Sequence, residues 1–187
     1  MTIAATGSYL RIFPDGDATH VVLETEAGER IAAELAAIGV RFERWSADAE
    51  LAPGAGQDEV IAAYRSSIDR LMSECGYQSV DVVRVERGNP NAAAMRAKFL
   101  NEHRHTEDEI RFFVEGRGSF YLHHGDRVYQ VICARVDLIS VPAGTRHWFD
   151  MGPDPAFCAV RLFENPDGWV AQFTGEEIAS QFPAFEP

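Results

Sequence analysis

Apolar residues recur at helical spacing in parts of the first half of the chain and in short alternating runs through the second. Residues 8–13 and 20–25 read as two strands around Pro14-Asp15-Gly16-Asp17, a stretch suited to a turn, and together predict an opening hairpin. Ile31, Leu35 and Ile38 predict a short helix over 29–38, with Gly39 placed to end it in a left-handed conformation. Residues 40–45 alternate as a strand before the loose Ala52-Pro53-Gly54-Ala55-Gly56 connection. From 58 to about 74, Val60, Ile61, Tyr64, Ile68, Leu71, Met72 and Cys75 fall on one stripe. One long helix is predicted there, with Asp58 and Glu59 at its positive end.

Residues 80–85 read as a strand, and Pro90 opens a short helical run through Ala92-Ala93-Ala94-Met95. From 103 to about 163, valine, isoleucine and aromatic residues recur in short runs separated by Gly116, Gly118, Gly125-Asp126 and Pro142-Ala143-Gly144. Successive antiparallel strands follow from that pattern, with 119–122 pairing to 127–133, and further strands at 137–141 and 157–163. A turn at Asn165-Pro166-Asp167-Gly168 and a short helix over 176–181 close the chain. The fold class expected is mainly β with peripheral helices, the strands forming a small antiparallel barrel.

The chain has 187 residues, enough for one well-buried core, and 46% hydrophobic against 25% charged residues describe a globular protein. A net charge of −12 argues against binding to nucleic acid or to an anionic membrane surface. Lys98 is the only lysine, so an anionic small molecule would be met mainly by arginine. Cys75, Cys133 and Cys158 are odd in number and widely spaced, which indicates neither a disulfide framework nor a thiolate metal site. No run reaches the roughly 18 apolar residues of a membrane span, and no basic segment followed by an apolar run opens the chain. A cytoplasmic monomer is expected.

The chemistry concentrates in His103-Arg104-His105-Thr106-Glu107-Asp108-Glu109. Histidines at i and i+2 share one side of a strand, and a carboxylate four residues on can return to that side after a short turn. Imidazole and carboxylate together suit a first-row transition metal, although two histidines on an exposed strand are commonly just solvated. His147, after Pro142-Ala143-Gly144-Thr145-Arg146, is directed inward by its turn and adds a fourth donor. A structural zinc site would more often be a closed tetrahedron containing cysteine. By alternation Arg111 lies on the side of Glu109, and Phe149 on the side of His147. His20, His123 and His124 are peripheral to this set.

The runs His103-x-His105-x-x-x-Glu109, with Gly116 seven residues beyond, and Pro142-x-Gly144-x-x-His147 resemble the two motifs of the cupin superfamily. The chain departs from it at Ala97 and Val136, where glycines often precede the motifs, and at Met151, where asparagine is often found. Glu109 to Gly118 and Val141 to Asp150 more closely resemble the acireductone dioxygenase family, strongly over 99–169. That resemblance implies a single cupin-like domain over 1–187, a double-stranded β-helix or jelly roll. An N-terminal elaboration would occupy about 1–98 and the metal-binding barrel motifs about 99–169.

It further implies that His103, His105, Glu109 and His147 bind the metal. Two positions of an octahedral ion would then remain for a bidentate enediolate. Arg111 would hold the substrate anion, and Phe99, Phe149 and Trp169 would line the substrate pocket. Asp108 would be either an acid–base or supporting contact near Glu109, or a turn residue. The implied reaction is cleavage by O2 of 1,2-dihydroxy-3-keto-5-methylthiopentene in methionine salvage. Fe(2+), the first choice, would direct it to formate and 4-methylthio-2-oxobutanoate; Ni(2+) would give formate, CO and 3-methylthiopropanoate. Two other readings stay open: a cupin oxygenase or isomerase of another small oxygenated substrate, and a non-catalytic metal-dependent binding protein.

Overall fold

A computed structural model describes residues 7–165 and 169–186. The opening hairpin forms as β1 (Tyr9–Pro14) paired antiparallel to β2 (Leu23–Thr25). Helix α1 (Gly28–Ala36) buries Ile31 and Leu35, one turn apart, and leads into β3 (Arg41–Arg44). The apolar stripe beyond it is carried by two helices, α2 (Gln57–Ala63) and α3 (Arg65–Cys75), and not by the single helix that periodicity predicts. The break is at Tyr64, with φ −110° and ψ 20°. Its ring stands edge-on to Phe112 at 5.7 Å and its hydroxyl donates to the Ala49 carbonyl at 3.2 Å, so tertiary contacts pull one residue out of helical geometry. The stripe survives, because Val60, Ile61, Tyr64, Ile68 and Leu71 still bury one face against Phe112, Leu138 and Val160.

After β4 (Ser79–Val85) and α4 (Ala92–Ala97), the two-residue β5 (His103–Arg104) precedes β6 (Glu109–His124), a 16-residue strand. Gly116 and Gly118 do not separate short strands, as expected, but lie inside this long one. Its first half pairs with β8 (Asp137–Val141) and β10 (Phe157–Phe163); its second half pairs with β7 (Arg127–Ala134) and β9 (Arg146–Asp150). Gly116 takes φ +64°, and a Cβ there would lie 1.8 Å from the Ala156 carbonyl oxygen. At Gly118 a Cβ would lie 2.4 Å from the Phe149 ring. Glycine therefore lets one strand bend and pass from one sheet into the other.

One sheet runs β2-β1-β7-β6-β9-β5-β11, with β11 being Gln172–Phe173, and the other runs β3-β8-β6-β10-β4. Leu10, Phe120, Val131 and Phe149 of the first meet Phe42, Phe113, Ile139 and Phe157 of the second in a shared core. Burial of each such side chain contributes about 1.5–3 kcal/mol. Among the described residues the hydrogen-bonded pairing does not close, so the mainly β antiparallel fold expected is built as two open sheets sharing β6. Side-chain packing seals the interior where a barrel would use backbone pairing. The strands before residue 99 extend both sheets through β1–β7, β3–β8 and β4–β10 pairing. The helix expected near 176–181 is a 3-10 turn at Ile178–Gln181, and residues 166–168 of the expected Asn165-to-Gly168 turn lie outside the described residues. No helix among the described residues is long and apolar enough to cross a membrane.

Candidate metal centre

Three strands bring the motif residues together. His103 on β5 is paired directly across from His147 on β9, His105 follows as the chain leaves β5, and Glu109 opens β6 opposite Val141. One donor atom from each of His103, His105, Glu109 and His147 lies within 4.8 Å of the other three, and all four residues are buried. Glu109 Oε2 stands 3.1 Å from His105 Nε2 and 3.0 Å from His147 Nε2.

Each imidazole is oriented from behind by a backbone carbonyl. His103 Nδ1 is 2.7 Å from the Asn101 oxygen, His105 Nδ1 is 3.0 Å from that of Val170, and His147 Nδ1 is 2.8 Å from that of Thr145. A carbonyl only accepts, so each Nδ1 carries a proton, and a ring that is otherwise unprotonated offers its Nε2 lone pair to an ion. For His105 and His147 that lone pair would oppose a carboxylate oxygen at about 3 Å, an arrangement that a cation between them turns from repulsive to attractive. Burial opposes a charge on His105, yet the Glu109 carboxylate beside it raises that imidazole above its ordinary value. Burial, aided by His147, pushes His103 down to about 4, which keeps it neutral. Burial works against the Glu109 charge, yet Arg111 and the two histidines hold that carboxyl well below the usual range. The donor set thus fits a divalent transition ion.

Arg111 lies beside Glu109, as strand alternation predicts, while Ile110 and Phe112 face the helices on the other side. Its Nε is 2.8 Å from Glu109 Oε1, an ion pair in which neither buried atom has an in-line hydrogen bond. The guanidinium carbon lies 4.2 Å from the centre of the Phe149 ring, 5.1 Å from Phe120, 5.8 Å from Phe99 and 6.0 Å from Trp169. A cation so enclosed is desolvated, which lowers its affinity for its proton but strengthens its pull on an anion.

These groups share a cavity of about 450 Å³ whose walls include His103, His105, Glu109, Arg111, Phe99, Phe149 and Trp169. Trp169 stacks on His105 at 5.9 Å and donates its indole N–H to the Asp108 carbonyl at 3.1 Å. Asp108 does not line the cavity. Its carboxylate accepts the Ala143 N–H at 2.9 Å and so steadies the turn that delivers His147.

Two further cavity residues take their places from strand pairing. Asp81 and Arg161 line the cavity as a bidentate pair with contacts of 2.7 and 2.5 Å, and Arg161 lies 5.4 Å from the Trp169 ring. Alternation within 157–163 could have turned Arg161 toward the same face as Phe157 and Phe163, but its partner depends on β10 pairing with β4. His123, expected to be peripheral to the donor set, is buried, with Nδ1 2.6 Å from Glu102 Oε2, and stands outside the four-donor cluster.

A model of the ARD/ARD' family matches residues 10–171. The chain is 58% identical over 179 residues to an acireductone dioxygenase of Parvibaculum lavamentivorans, covering 96% of this chain and 97% of that one. It is 65% identical over 158 residues to an acireductone dioxygenase of Stutzerimonas stutzeri, covering 84% and 87% respectively. Among solved structures it is similar to acireductone dioxygenase from Bacillus anthracis with cadmium ion in its active center, with a TM-score of 0.77 and 29% identity. That match covers 91% of this chain and 100% of the other.

Proposed function

The chain belongs to the ARD/ARD' family, and on that premise we propose that it is a metal-dependent acireductone dioxygenase of methionine salvage. The observation that carries the reading is the convergence of four buried donors and the enclosed Arg111 guanidinium on one aromatic-walled cavity. His103, His105, Glu109 and His147 would hold the ion, with iron(II) the first choice and nickel(II) the alternative. When bound, the ion supplies the Lewis acidity that favours a deprotonated enediol and brings it next to dioxygen.

The chain's own residues do the rest. Arg111 neutralises the anionic head of 1,2-dihydroxy-3-keto-5-methylthiopentene, and its fixed position against Phe149 orients that charge without reorganisation. Phe99, Phe149 and Trp169 exclude water and give the methylthio tail an apolar surface. Asp108 acts through position, holding Ala143 and the Trp169 indole. The iron form would yield formate and 4-methylthio-2-oxobutanoate, and the nickel form formate, CO and 3-methylthiopropanoate.

We read residues 1–187 as one cupin-like domain, supported by the sharing of both sheets between strands before and after residue 99. A cytoplasmic location is in keeping with three free cysteines, and a monomer with a strongly acidic single domain. The test is to load the protein with iron or nickel without oxygen, add the acireductone, admit O2 and analyse products. Oxygen uptake with formate release supports the reading; tight metal binding with neither result defeats it.

A further inference from the structure

We propose that Asp150 and Arg96 are positioning residues for the substrate-side wall of the cavity, and that residues 182–186 are part of the device that holds them. The inference rests on the dioxygenase reading for its kinetic consequence, though not for its structural one. Asp150 ends β9, the strand that carries His147 and Phe149, and is 2% exposed. It gathers donors from three segments. Arg96 grips it with Nε at 2.7 Å and Nη2 at 2.9 Å, and the backbone N–H groups of Gly152 and Phe185 each donate at 2.9 Å.

Arg96 belongs to α4, a helix of six residues, and so short a helix does not hold its own geometry without tertiary ties. Immediately after it come Lys98 and Phe99, both on the cavity wall. The Phe99 N–H donates to the Arg96 carbonyl at 3.1 Å, and the Phe99 carbonyl accepts the Phe149 N–H at 2.9 Å. One charged tie and one backbone tie therefore bracket Phe99 against β9. The tail completes the arrangement from the other side of the sheet: Phe182 packs at 5.8 Å on Trp148, and the Tyr121 hydroxyl donates to the Pro183 carbonyl at 2.6 Å. Trp148 and Phe149 are neighbours on opposite faces of one strand, so the tail backs the strand whose inner face meets substrate.

Without the charged tie, α4 and Phe99 are held to β9 by the backbone bond alone, the cavity wall loosens, and substrate is held less well. The four donor residues lie outside α4, so the ion is kept. The experiment compares Arg96→Gln, Arg96→Lys and a chain ending at Gln181 with the parent holoenzyme. Arg96→Gln should raise KM for the acireductone about tenfold, change kcat by less than about twofold and leave metal content unaltered. Arg96→Lys should recover part of the loss, and the shortened chain should reproduce the KM effect. Unchanged KM with only a lower melting temperature would show the pair to be structural and overturn the proposal, as would parallel loss of metal and kcat. Amide exchange over residues 92–99 reads the same idea without turnover. Faster exchange in Arg96→Gln is expected and unchanged exchange overturns the proposal, whereas a parent that folds, binds metal and never turns over defeats the dioxygenase reading alone.

Discussion

Arg111 Nε stands 2.8 Å from Glu109 Oε1, the carboxylate oxygen that His105 and His147 leave free, since both histidines face Oε2. One carboxylate thereby joins the donor cluster to the cation of the cavity wall. Two residues apart on β6, the pair owes its geometry to strand alternation and its strength to burial.

Replacing Arg111 with methionine should keep the metal and lower kcat/KM by roughly 100- to 1000-fold, the range for removal of a preorganised electrostatic contact. Arg111→Lys should restore little, because an ammonium lacks the planar face that lies over Phe149. Metal analysis and steady-state kinetics decide it. Full activity in the methionine variant would sink the proposed role.

Metal removal should destabilise the fold. An ion present at about a thousand times its dissociation constant contributes about 4 kcal/mol, and for a chain of this size the melting temperature should fall by roughly 10 °C on chelation. Glu109→Gln, which removes the buried negative charge from the cluster, should abolish most of that shift. The check is calorimetry of each protein with and without chelator.

Gly118→Ala should act on chemistry through packing. The added Cβ would meet the Phe149 ring at 2.4 Å, and that ring carries the Arg111 guanidinium at 4.2 Å. Activity should drop about tenfold or more, in line with the sensitivity of catalysis to small misplacements. Gly116→Ala is more severe, because its Cβ would meet backbone at 1.8 Å, and soluble yield should collapse. Normal kinetics in Gly118→Ala would show that Phe149 can move without consequence.

Val136 has φ +81°, a left-handed conformation costly for a β-branched residue. Val136→Gly should raise stability by about 1 kcal/mol after loss of some packing, or roughly 2–4 °C in melting temperature, with kinetics unchanged. A lower melting temperature would mean that packing outweighs backbone strain there.

Asp137 supplies a pH test. Burial raises its carboxyl above the usual value, although the Ala134 N–H, the Ser8 hydroxyl and Arg44 oppose that shift. Between the unfolded and the raised folded value the native state binds more protons, so this group's contribution is full at low pH and falls as pH rises. Relative to Asp137→Asn, the parent should therefore lose stability between pH 4 and pH 7. Denaturant midpoints at both values measure it, and a parallel pH response in the two proteins would refute the assignment.

Local rules made much of the candidate site legible. A two-residue period turns His103 and His105 to one side, places Arg111 with Glu109 and Phe149 with His147, and needs no knowledge of the rest of the chain. The same patterning predicted most strands and the apolar stripe of α2 and α3. It could not place the break at Tyr64, because a contact with Phe112 made elsewhere in the chain decides it. Nor could it show that β6 runs unbroken through two glycines, since the reason is the approach of Ala156 and Phe149. Val136 shows the same division: the sequence marks a departure from glycine, and the structure reveals the left-handed backbone. The pairs Asp81–Arg161, Glu102–His123 and Arg96–Asp150 span 80, 21 and 54 positions. Residue type and spacing along a strand set which groups this chain can offer; only the pairing of distant strands decides which of them meet, because non-local contact is a property of the packed chain.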